Sequence, residues 1–462
     1  MTTTHAPRLL RRTRAGRLAL IALSAALVVV VLPTLARDAR AQDTVGPAPS
    51  EMAPPGAFVI RGARIVTVSG PDIENGTLVL RNGRIEAVGT NVNVPAGATE
   101  IDARGLLVYP GLIDAETNLG LGEISSGAPG TLDTTELGDM NPNAQAWVAV
   151  NPHTSHLEVT RVAGVTSVVS MPQGGVVSGQ AAFLNLAGTT QRELAIVPTV
   201  ALVIDYPRVG GGFGFGGGAA VTPEALTARD RRVDELRRML RDAEAYGRAA
   251  DAYRRDPKAV PRPDTDLVLA ALVPYVRGER PVMFRADRER DIRAAVGFAE
   301  EMKLRPVVVG GSEAWKVATF LKEKNVPVIF DAMWGLPLRE DDPYDTLYES
   351  PAKLQQAGVR FAISTGDGGA HVRDLPFQAG MAVAFGLPKD EALKSITLYP
   401  AQMMGVADRV GSIEAGKLAN IVVTDGDILD ARTNVRHLFI GGRQIPLVSR
   451  HTVLYEQSKD RP

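Results

Sequence analysis

The chain has 462 residues, of which 45% are hydrophobic and 46 are glycine, so it can bury a large core and is long enough for two or three domains. Its 51 basic and 52 acidic residues nearly cancel, which excludes a protein that binds nucleic acid through a strong positive charge. The chain contains no cysteine, so no disulfide can form and stability must come from the core.

The N-terminus predicts export. Arginines between positions 8 and 17 precede the apolar run from Leu18 to Leu32, and Ala39-Arg40-Ala41 supplies a small-x-small cleavage pattern. The run is shorter than the roughly 20 residues that a spanning helix needs. Residues 1–41 are therefore predicted to be the signal peptide of a periplasmic or extracellular protein. An uncleaved N-terminal anchor is the alternative, and it would be the one route to a membrane.

Two β-rich segments flank a longer α/β segment. Residues 42–56 are rich in Pro, Ala and Gly and predict a disordered leader. Residues 57–109 and 409–455 contain short alternating strands separated by turn pairs such as Asn75-Gly76 and Asn82-Gly83. We predict that these two segments form one small, discontinuous β-sandwich.

The central segment, residues 110–408, alternates apolar runs with amphipathic helices, for example 287–302 and 312–324. Apolar strands separated by helices are typical of a parallel sheet that is covered on both faces. The length of the segment favours an α/β fold of the (β/α)8 type, a TIM-like barrel, over an open sheet. Five strands are recognisable in the sequence: GVTSVVSM, PVMFRA, RPVVVGG, VPVIFDA and RFAISTGD.

An insertion at residues 209–256 interrupts the alternation. The glycine-rich run VGGGFGFGGGA is followed by a charged helix that is predicted from Pro223 to Asp256, with Thr222 as its N-cap. The run lacks the Gly-Lys-Ser/Thr of a phosphate loop, so a flexible lid and a plain surface linker are the two interpretations. The charged helix would face solvent or a partner subunit.

Several of these stretches together resemble the amidohydrolase superfamily, nearest to its imidazolonepropionase-like branch. The resemblance runs from Ala57 to about Pro446. It implies a TIM-like barrel with a small β-sandwich built from both chain ends, and hydrolysis of C–N or related bonds by a metal-activated water. The stretches that carry it are RNGRIEAVG, VYPGLIDA, RVAGVTSVV, EALKSITLYPAQMMGVADRVGSIEAGKLANIVV and VRHLFIGGRQI.

The positions that hold metal-binding histidines in the family carry other residues here. The His-x-His pair that ends the first barrel strand corresponds to Glu116 and Asn118, whose oxygen atoms suit a hard divalent ion better than zinc. Arg285 and Gly310 stand at two further histidine positions, and a guanidinium cannot ligate because it stays protonated. The resemblance gives Asp367 a metal contact and the role of proton acceptor. We predict a single divalent ion on Glu116, Asn118 and Asp367, or no metal, and a pairing of Arg285 with Glu116 or Asp367.

Three further side chains complete the predicted site, in addition to a substrate contact by Arg285. His371 follows Asp367 by four residues and is a candidate general acid or base, with an ordinary loop histidine as the alternative. Gln173 and Ser178 belong to MPQGGVVSGQ, a stretch that suits either a substrate-binding loop or a simple hairpin.

Three functions are compatible with this sequence. The first is an exported hydrolase of amides or cyclic amides other than peptide bonds, with Asp367 as the base and a degenerate metal site. The second is a non-catalytic protein whose barrel mouth binds a small polar or anionic ligand through Arg285. The third is a structural subunit of a hetero-oligomer, whose charged helix docks a related, intact subunit. Apart from this third function, the sequence is compatible with a homo- or hetero-oligomer. The resemblance favours the hydrolase.

Overall fold

The computed structural model describes residues 56–124, 129–209, 222–366 and 368–461. The predicted signal peptide, the leader up to residue 55, the glycine-rich run from residue 210 onward and Asp367 lie outside these ranges. Within them, no helix is both long enough and apolar enough to cross a membrane.

The strands fall into two sheets, each with eight strands. Numbered along the chain, they are β1 Phe58–Ile65, β2 Ile73–Arg81, β3 Arg84–Gly89, β4 Thr99–Asp102, β5 Leu107–Pro110, β6 Leu112–Thr117, β7 Val165–Ser170, β8 Val177–Asn185, β9 Ala195–Asp205, β10 Pro281–Ala286, β11 Arg305–Gly310, β12 Val328–Phe330, β13 Phe361–Ile363, β14 Ile421–Thr424, β15 Val435–Ile440 and β16 Arg443–Gln444.

The helices are mostly short and separate the barrel strands. They are α1 Ala146–Ala149, α2 Ser155–Arg161, α3 Gln191–Leu194, α4 Pro223–Arg255, α5 Leu267–Val276, α6 Glu289–Glu301, α7 Ala318–Glu323, α8 Thr346–Gln356, α9 Leu375–Ala384, α10 Lys389–Ser395, α11 Leu398–Met403 and α12 Arg450–Ser458, with 3₁₀ turns at Pro129–Thr131, Ala314–Val317 and Gly369–Asp374.

The first sheet contains strands from both chain ends. Its order is β16-β15-β14-β5-β1-β2-β3, with β4 also paired to β1. The antiparallel pairing of β5 with β14 joins the N-terminal β segment to the C-terminal one. The two segments therefore share one sheet, while the two-layer packing of a sandwich and the exact domain boundaries stay predictions. Helix α12 begins within the segment 409–455, which was predicted to be the second part of the sandwich, and extends beyond it.

The second sheet is a TIM-like barrel in which β6 to β13 follow one another in chain order. The end of β13 meets β6 through Ser364, whose Oγ lies 2.6 Å from Asp114 Oδ1 and 2.7 Å from the Glu116 carbonyl oxygen, within hydrogen-bond distance of both acceptors. Strand β8 runs antiparallel to both neighbours, which corrects the regular (β/α)8 alternation that the sequence predicted. The turn before β8 places Gly174 and Gly175 at positive φ, and a connection this short cannot return a parallel strand.

Alternate residues along the barrel strands belong to two hydrophobic clusters. Phe284 of β10 packs with residues of α6 in the outer cluster. Met283 belongs to the inner cluster, together with Ile329 of β12. Because residues two apart in a strand point to the same face, Arg285 points inward like Met283 and reaches the barrel mouth.

The charged insertion helix, α4, begins as predicted. The Thr222 side chain accepts a hydrogen bond of 3.2 Å from the backbone N–H of Ala225, and Pro223 occupies the first turn. The apolar side of α4 packs against α5 of the same chain. Only its charged side is therefore available to a partner, and the predicted docking role stays a prediction. The buried residues of α4 recur every three or four positions: Val233, Leu236, Leu240, Ala243 and Gly247.

Candidate active site at the barrel mouth

A cavity of about 650 Å³ opens where the barrel strands end. Its lining includes Asp205 at the end of β9, Arg285 in β10, Gly310 at the end of β11 and Asp331 directly after β12. The carboxyl ends of the parallel strands meet at one face of such a barrel, and this is the face where TIM-barrel enzymes carry out their chemistry. The cavity is therefore the candidate active site.

Glu116 and Arg285 form an ion pair beside this cavity. The distance between Arg285 Nη1 and Glu116 Oε1 is 2.9 Å, the Glu116 side chain is fully buried, and 17% of the Arg285 side chain is exposed. The two residues come from β6 and β10, which lie on opposite sides of the barrel, so the pair spans its interior. The predicted contact of Arg285 with Glu116 is thus present. The alternative partner, Asp367, lies outside the described ranges.

Asp114 lies two residues before Glu116 and joins β6 to the end of β13. Its fully buried carboxylate accepts hydrogen bonds from the hydroxyls of Ser364, at 2.6 Å, and Thr365, at 2.5 Å. Burial raises the pKa of Asp114 to about 6, although both hydroxyl donors act in the opposite direction. Since no part of Asp114 is exposed, its role is to close the barrel.

Asn118 fixes the loop that follows β13. Its Oδ1 accepts a hydrogen bond of 2.8 Å from the backbone N–H of Gly369, the first residue of a 3₁₀ turn. His371 in this turn lines the cavity, is largely exposed, and places Nδ1 at 3.3 Å from Asp374 Oδ2. The loop therefore brings His371 to the mouth, and its use as a general acid or base stays a prediction.

The two candidates from MPQGGVVSGQ occupy different places. Gln173 lines the cavity, and its backbone N–H donates to the Thr134 carbonyl at 2.7 Å. Ser178 lies on β8 with 1% of its surface exposed, is not part of the cavity lining, and its Oγ has no hydrogen-bond partner among the described residues. The structure thus brings Gln173 to the candidate site and leaves Ser178 in the barrel wall.

Sequence reasoning missed four charged residues of the cavity. Arg208 Nη2 lies 4.0 Å from Asp205 Oδ2, and Arg208 Nη1 lies 4.0 Å from Asp287 Oδ2. Asp331 follows β12 and borders the same space. A signal was available, because each aspartate ends or directly follows an apolar barrel strand. The family resemblance identifies other positions and does not point to these aspartates.

The space beside Gly310 is filled by a neighbouring carboxylate. A Cβ on Gly310 would lie 2.6 Å from Asp287 Oδ1, and the residue has a φ of +94°. Ser312 fixes the Asp287 carboxylate by donating from Oγ to Oδ1 at 2.8 Å. A histidine at position 310 would therefore collide with Asp287 unless that side chain moved.

The donors within the described ranges do not form the metal centre that the resemblance implies, and Asp367 lies outside those ranges. Within the part of the chain that the structure describes, no three His, Asp or Glu side chains are grouped so that they could hold a metal ion. Glu116 is paired with the cationic side chain of Arg285, and Asn118 binds the backbone of Gly369. The arrangement does not support metal contacts by Glu116 and Asn118.

The loop between β12 and α8, residues 331–345, forms an apolar wall of the cavity. Trp334 is 49% exposed and Leu336 is 80% exposed, and both side chains line the cavity together with Leu338 and Leu347. Large apolar side chains that remain exposed around a cavity indicate a surface that a ligand covers.

Glu313 anchors this loop through a network of charged hydrogen bonds. Its nearly buried carboxylate accepts a hydrogen bond of 2.7 Å from Arg339 Nε and one of 3.1 Å from Lys316 Nζ. Lys316 in turn contacts both carboxylate oxygens of Asp342 at 3.0 Å. Two positions in the loop are thus tied to one buried acid.

Replacing Glu313 with glutamine should lower the free energy of unfolding by about 2 kcal/mol, because a neutral amide forms weaker hydrogen bonds to Lys316 and Arg339 than a carboxylate does. Urea denaturation measures the loss. The matched control is Glu349→Gln, which removes a pair with Lys353 in which both side chains are more than a third exposed; that change should cost less than about 0.5 kcal/mol. Equal losses of unfolding free energy in the two variants would show that the buried contacts of Glu313 stabilise the fold no more than an exposed ion pair does.

Known proteins resemble this chain over most of its length. Residues 345–445 match the family model described as the amidohydrolase family. An imidazolonepropionase from Maricaulis maris is 25% identical over 400 residues, which cover 79% of this chain and 91% of the relative. Amidohydrolase tasK from Hapsidospora irregularis is 24% identical over 398 residues, which cover 79% of this chain but 39% of that much longer relative.

The fold has a counterpart among solved structures. The crystal structure of an amidohydrolase from Thermotoga maritima superimposes with a TM-score of 0.73 at 24% sequence identity. The superposition covers 84% of this chain and 99% of that chain. The overall fold is therefore one that another protein shares.

Proposed function

We propose, from the premise that the chain belongs to the amidohydrolase superfamily, that it hydrolyses carbon–nitrogen bonds other than peptide bonds, in amides or cyclic amides. The observation that carries the proposal is the cavity at the carboxyl ends of the barrel strands, with the guanidinium of Arg285 held against Glu116 at 2.9 Å. Export is part of the proposal and rests on the sequence of residues 1–41.

Arg285 supplies a fixed positive charge. Attack of water on an amide carbonyl produces a tetrahedral intermediate whose oxygen is negatively charged, and a preorganised cation lowers the energy of that state. Glu116 holds the guanidinium in one place and is itself inaccessible to solvent. We propose that the carbonyl oxygen of the substrate faces Arg285 and that this residue takes the electrostatic role of the family's metal ion.

Proton transfer requires a carboxylate that borders the cavity. Asp205 and Asp331 lie on its wall, and Asp367 is the base that the family resemblance predicts. One of these carboxylates accepts a proton from the attacking water, and the hydroxide that forms adds to the carbonyl carbon. His371 at the mouth, in its protonated imidazolium form, donates a proton to the leaving nitrogen as the C–N bond breaks, and the proton taken up by the carboxylate returns to His371 to complete the cycle.

The test is an assay of the exported form of the protein against a panel of lactams, hydantoins and N-acyl amines, with substrate loss followed by proton NMR. We expect turnover of at least one class. Arg285→Gln should lower kcat/KM about 100-fold, the usual cost of removing one charge-stabilising donor. The kcat/KM of Arg285→Lys should lie between those of the native chain and Arg285→Gln, because a lysine restores the charge without the planar guanidinium.

Two controls distinguish the proposed role of Arg285 from a nonspecific effect of the substitution and from a role for a metal ion. Arg360 is exposed at the amino end of β13, at the opposite end of the barrel, so Arg360→Gln should leave the rate unchanged. Prolonged dialysis against a chelator should also leave it unchanged, because the proposed mechanism gives the electrostatic role to Arg285 and not to a metal ion. Full activity in Arg285→Gln, or a rate that chelation abolishes, would refute the proposed mechanism.

A further inference from the structure

The charges around the cavity are not those of an anion-binding site. Among its described lining residues are three aspartates and two arginines, an excess of one negative charge when His371 is neutral. Glu116 adds a further negative charge directly behind Arg285.

Both arginines already contact carboxylates. Arg285 lies 2.9 Å from Glu116, and Arg208 lies 4.0 Å from Asp205 and from Asp287. A bound carboxylate would have to compete with these protein carboxylates at each guanidinium and would face the remaining acids at close range. A cation would instead be attracted to the cavity, because the carboxylates of Asp205, Asp287 and Asp331 line it.

Part of the cavity wall is apolar. Trp334 and Leu336 project from the loop at residues 331–345, which Glu313 anchors through Arg339, and Leu347 of α8 extends the same wall. Burying such a surface under an apolar group is favourable in proportion to the area covered. Trp334 also suits a cationic group, because the face of an aromatic ring attracts positive charge.

We infer that this site takes a neutral or cationic carbon–nitrogen compound with a bulky apolar group, and that Trp334 and Leu336 determine this specificity. The inference rests on the proposed function for its placement at a catalytic cavity. The polar, reactive end of the substrate lies toward Arg285 and the aspartates, and its apolar end lies against the loop. This inference is the opposite of the alternative function in which Arg285 binds a small anionic ligand.

Three small probes test the inference by isothermal titration on the full exported chain. Benzamidine is an aromatic cation, benzoate an aromatic anion of similar size, and guanidinium a small cation without an apolar group. Benzamidine should bind at least about 10-fold more tightly than either of the others. Trp334→Ala and Leu336→Ala should each weaken benzamidine binding about 5- to 10-fold, and Leu336→Ala should leave guanidinium binding unchanged.

Leu454→Ala is the matched control, because Leu454 is 49% exposed on α12 and does not line the cavity. It should change no affinity. Benzoate binding as tight as benzamidine binding, equal weak binding of all three probes, or unchanged benzamidine affinity in both loop variants would overturn the inference. These outcomes are independent of the hydrolysis assay: a chain that binds benzamidine through Trp334 but hydrolyses nothing refutes the proposed function alone, and a chain that hydrolyses its substrate but prefers benzoate refutes the inference alone.

Discussion

Replacing Arg285 with glutamine should lower the free energy of unfolding by about 3–5 kcal/mol, the usual cost of removing one partner of a buried ion pair. Glu116 has no exposed surface, and its carboxylate lies 2.9 Å from the guanidinium. A glutamine amide cannot balance that charge, so Glu116 must either stay ionised in an apolar interior or take up a proton. Chemical denaturation at pH 7 measures the loss.

A double-mutant cycle shows whether the effect belongs to the pair. Glu116→Gln alone should also destabilise the fold, because it leaves the guanidinium of Arg285 without this carboxylate. The variant that carries both changes should be more stable than the two single losses predict, with a coupling of about 2 kcal/mol, as is found for residues in direct contact. Strictly additive losses would mean that the two side chains do not stabilise each other. Arg360→Gln, exposed at the far end of the barrel, should change stability by less than about 0.5 kcal/mol.

Much of the fold could be predicted because long apolar strands and capped helices are local signals. PVMFRA corresponds residue for residue to β10, and the helix predicted for 287–302 is α6, Glu289–Glu301. The sequence did not predict two of the barrel strands, β8 and β9, and the reason is also local. β8 contains Gly179 and two alanines in place of β-branched residues, and β9 contains Pro198, which argues against a central strand. Their antiparallel pairing with each other satisfies the backbone in spite of these residues.

The candidate site could be predicted only in part, because it depends on contacts between residues far apart in the chain. The sequence showed that Arg285 stands at a ligand position, and a buried acid on β6 was its natural counter-charge. It could not show that Asn118 would turn away to bind Gly369, or that Asp287 would fill the space beside Gly310. Such choices depend on the distances between strand ends, which no local pattern encodes.

Asp114 should make the protein less stable as the pH rises from about 4 to about 7. Its pKa is raised from 3.8 to about 6 by full burial, so the folded state binds this proton more tightly than the unfolded state does. The stabilising contribution of the proton is therefore complete below pH 3.8 and is lost as the pH passes through 6. The full loss is about 3 kcal/mol, since each tenfold change in proton affinity corresponds to about 1.4 kcal/mol.

The comparison with Asp114→Asn isolates this effect from all other titrating groups. Asparagine keeps the shape of the side chain and stays neutral, so the stability of the variant relative to the native chain should rise by about 2 kcal/mol between pH 4 and pH 8 in urea denaturation. Asp102→Asn is the control of opposite sign, because the Arg104 side chain lowers the pKa of Asp102 to about 2 on the surface. Its stabilising contribution is present above pH 3.8 and lost toward pH 2, so the difference between Asp102→Asn and the native chain should stay nearly flat over the same range. A flat difference for Asp114→Asn as well would mean that Asp114 titrates like a solvated carboxyl, and that the hydroxyls of Ser364 and Thr365 offset the whole cost of its burial.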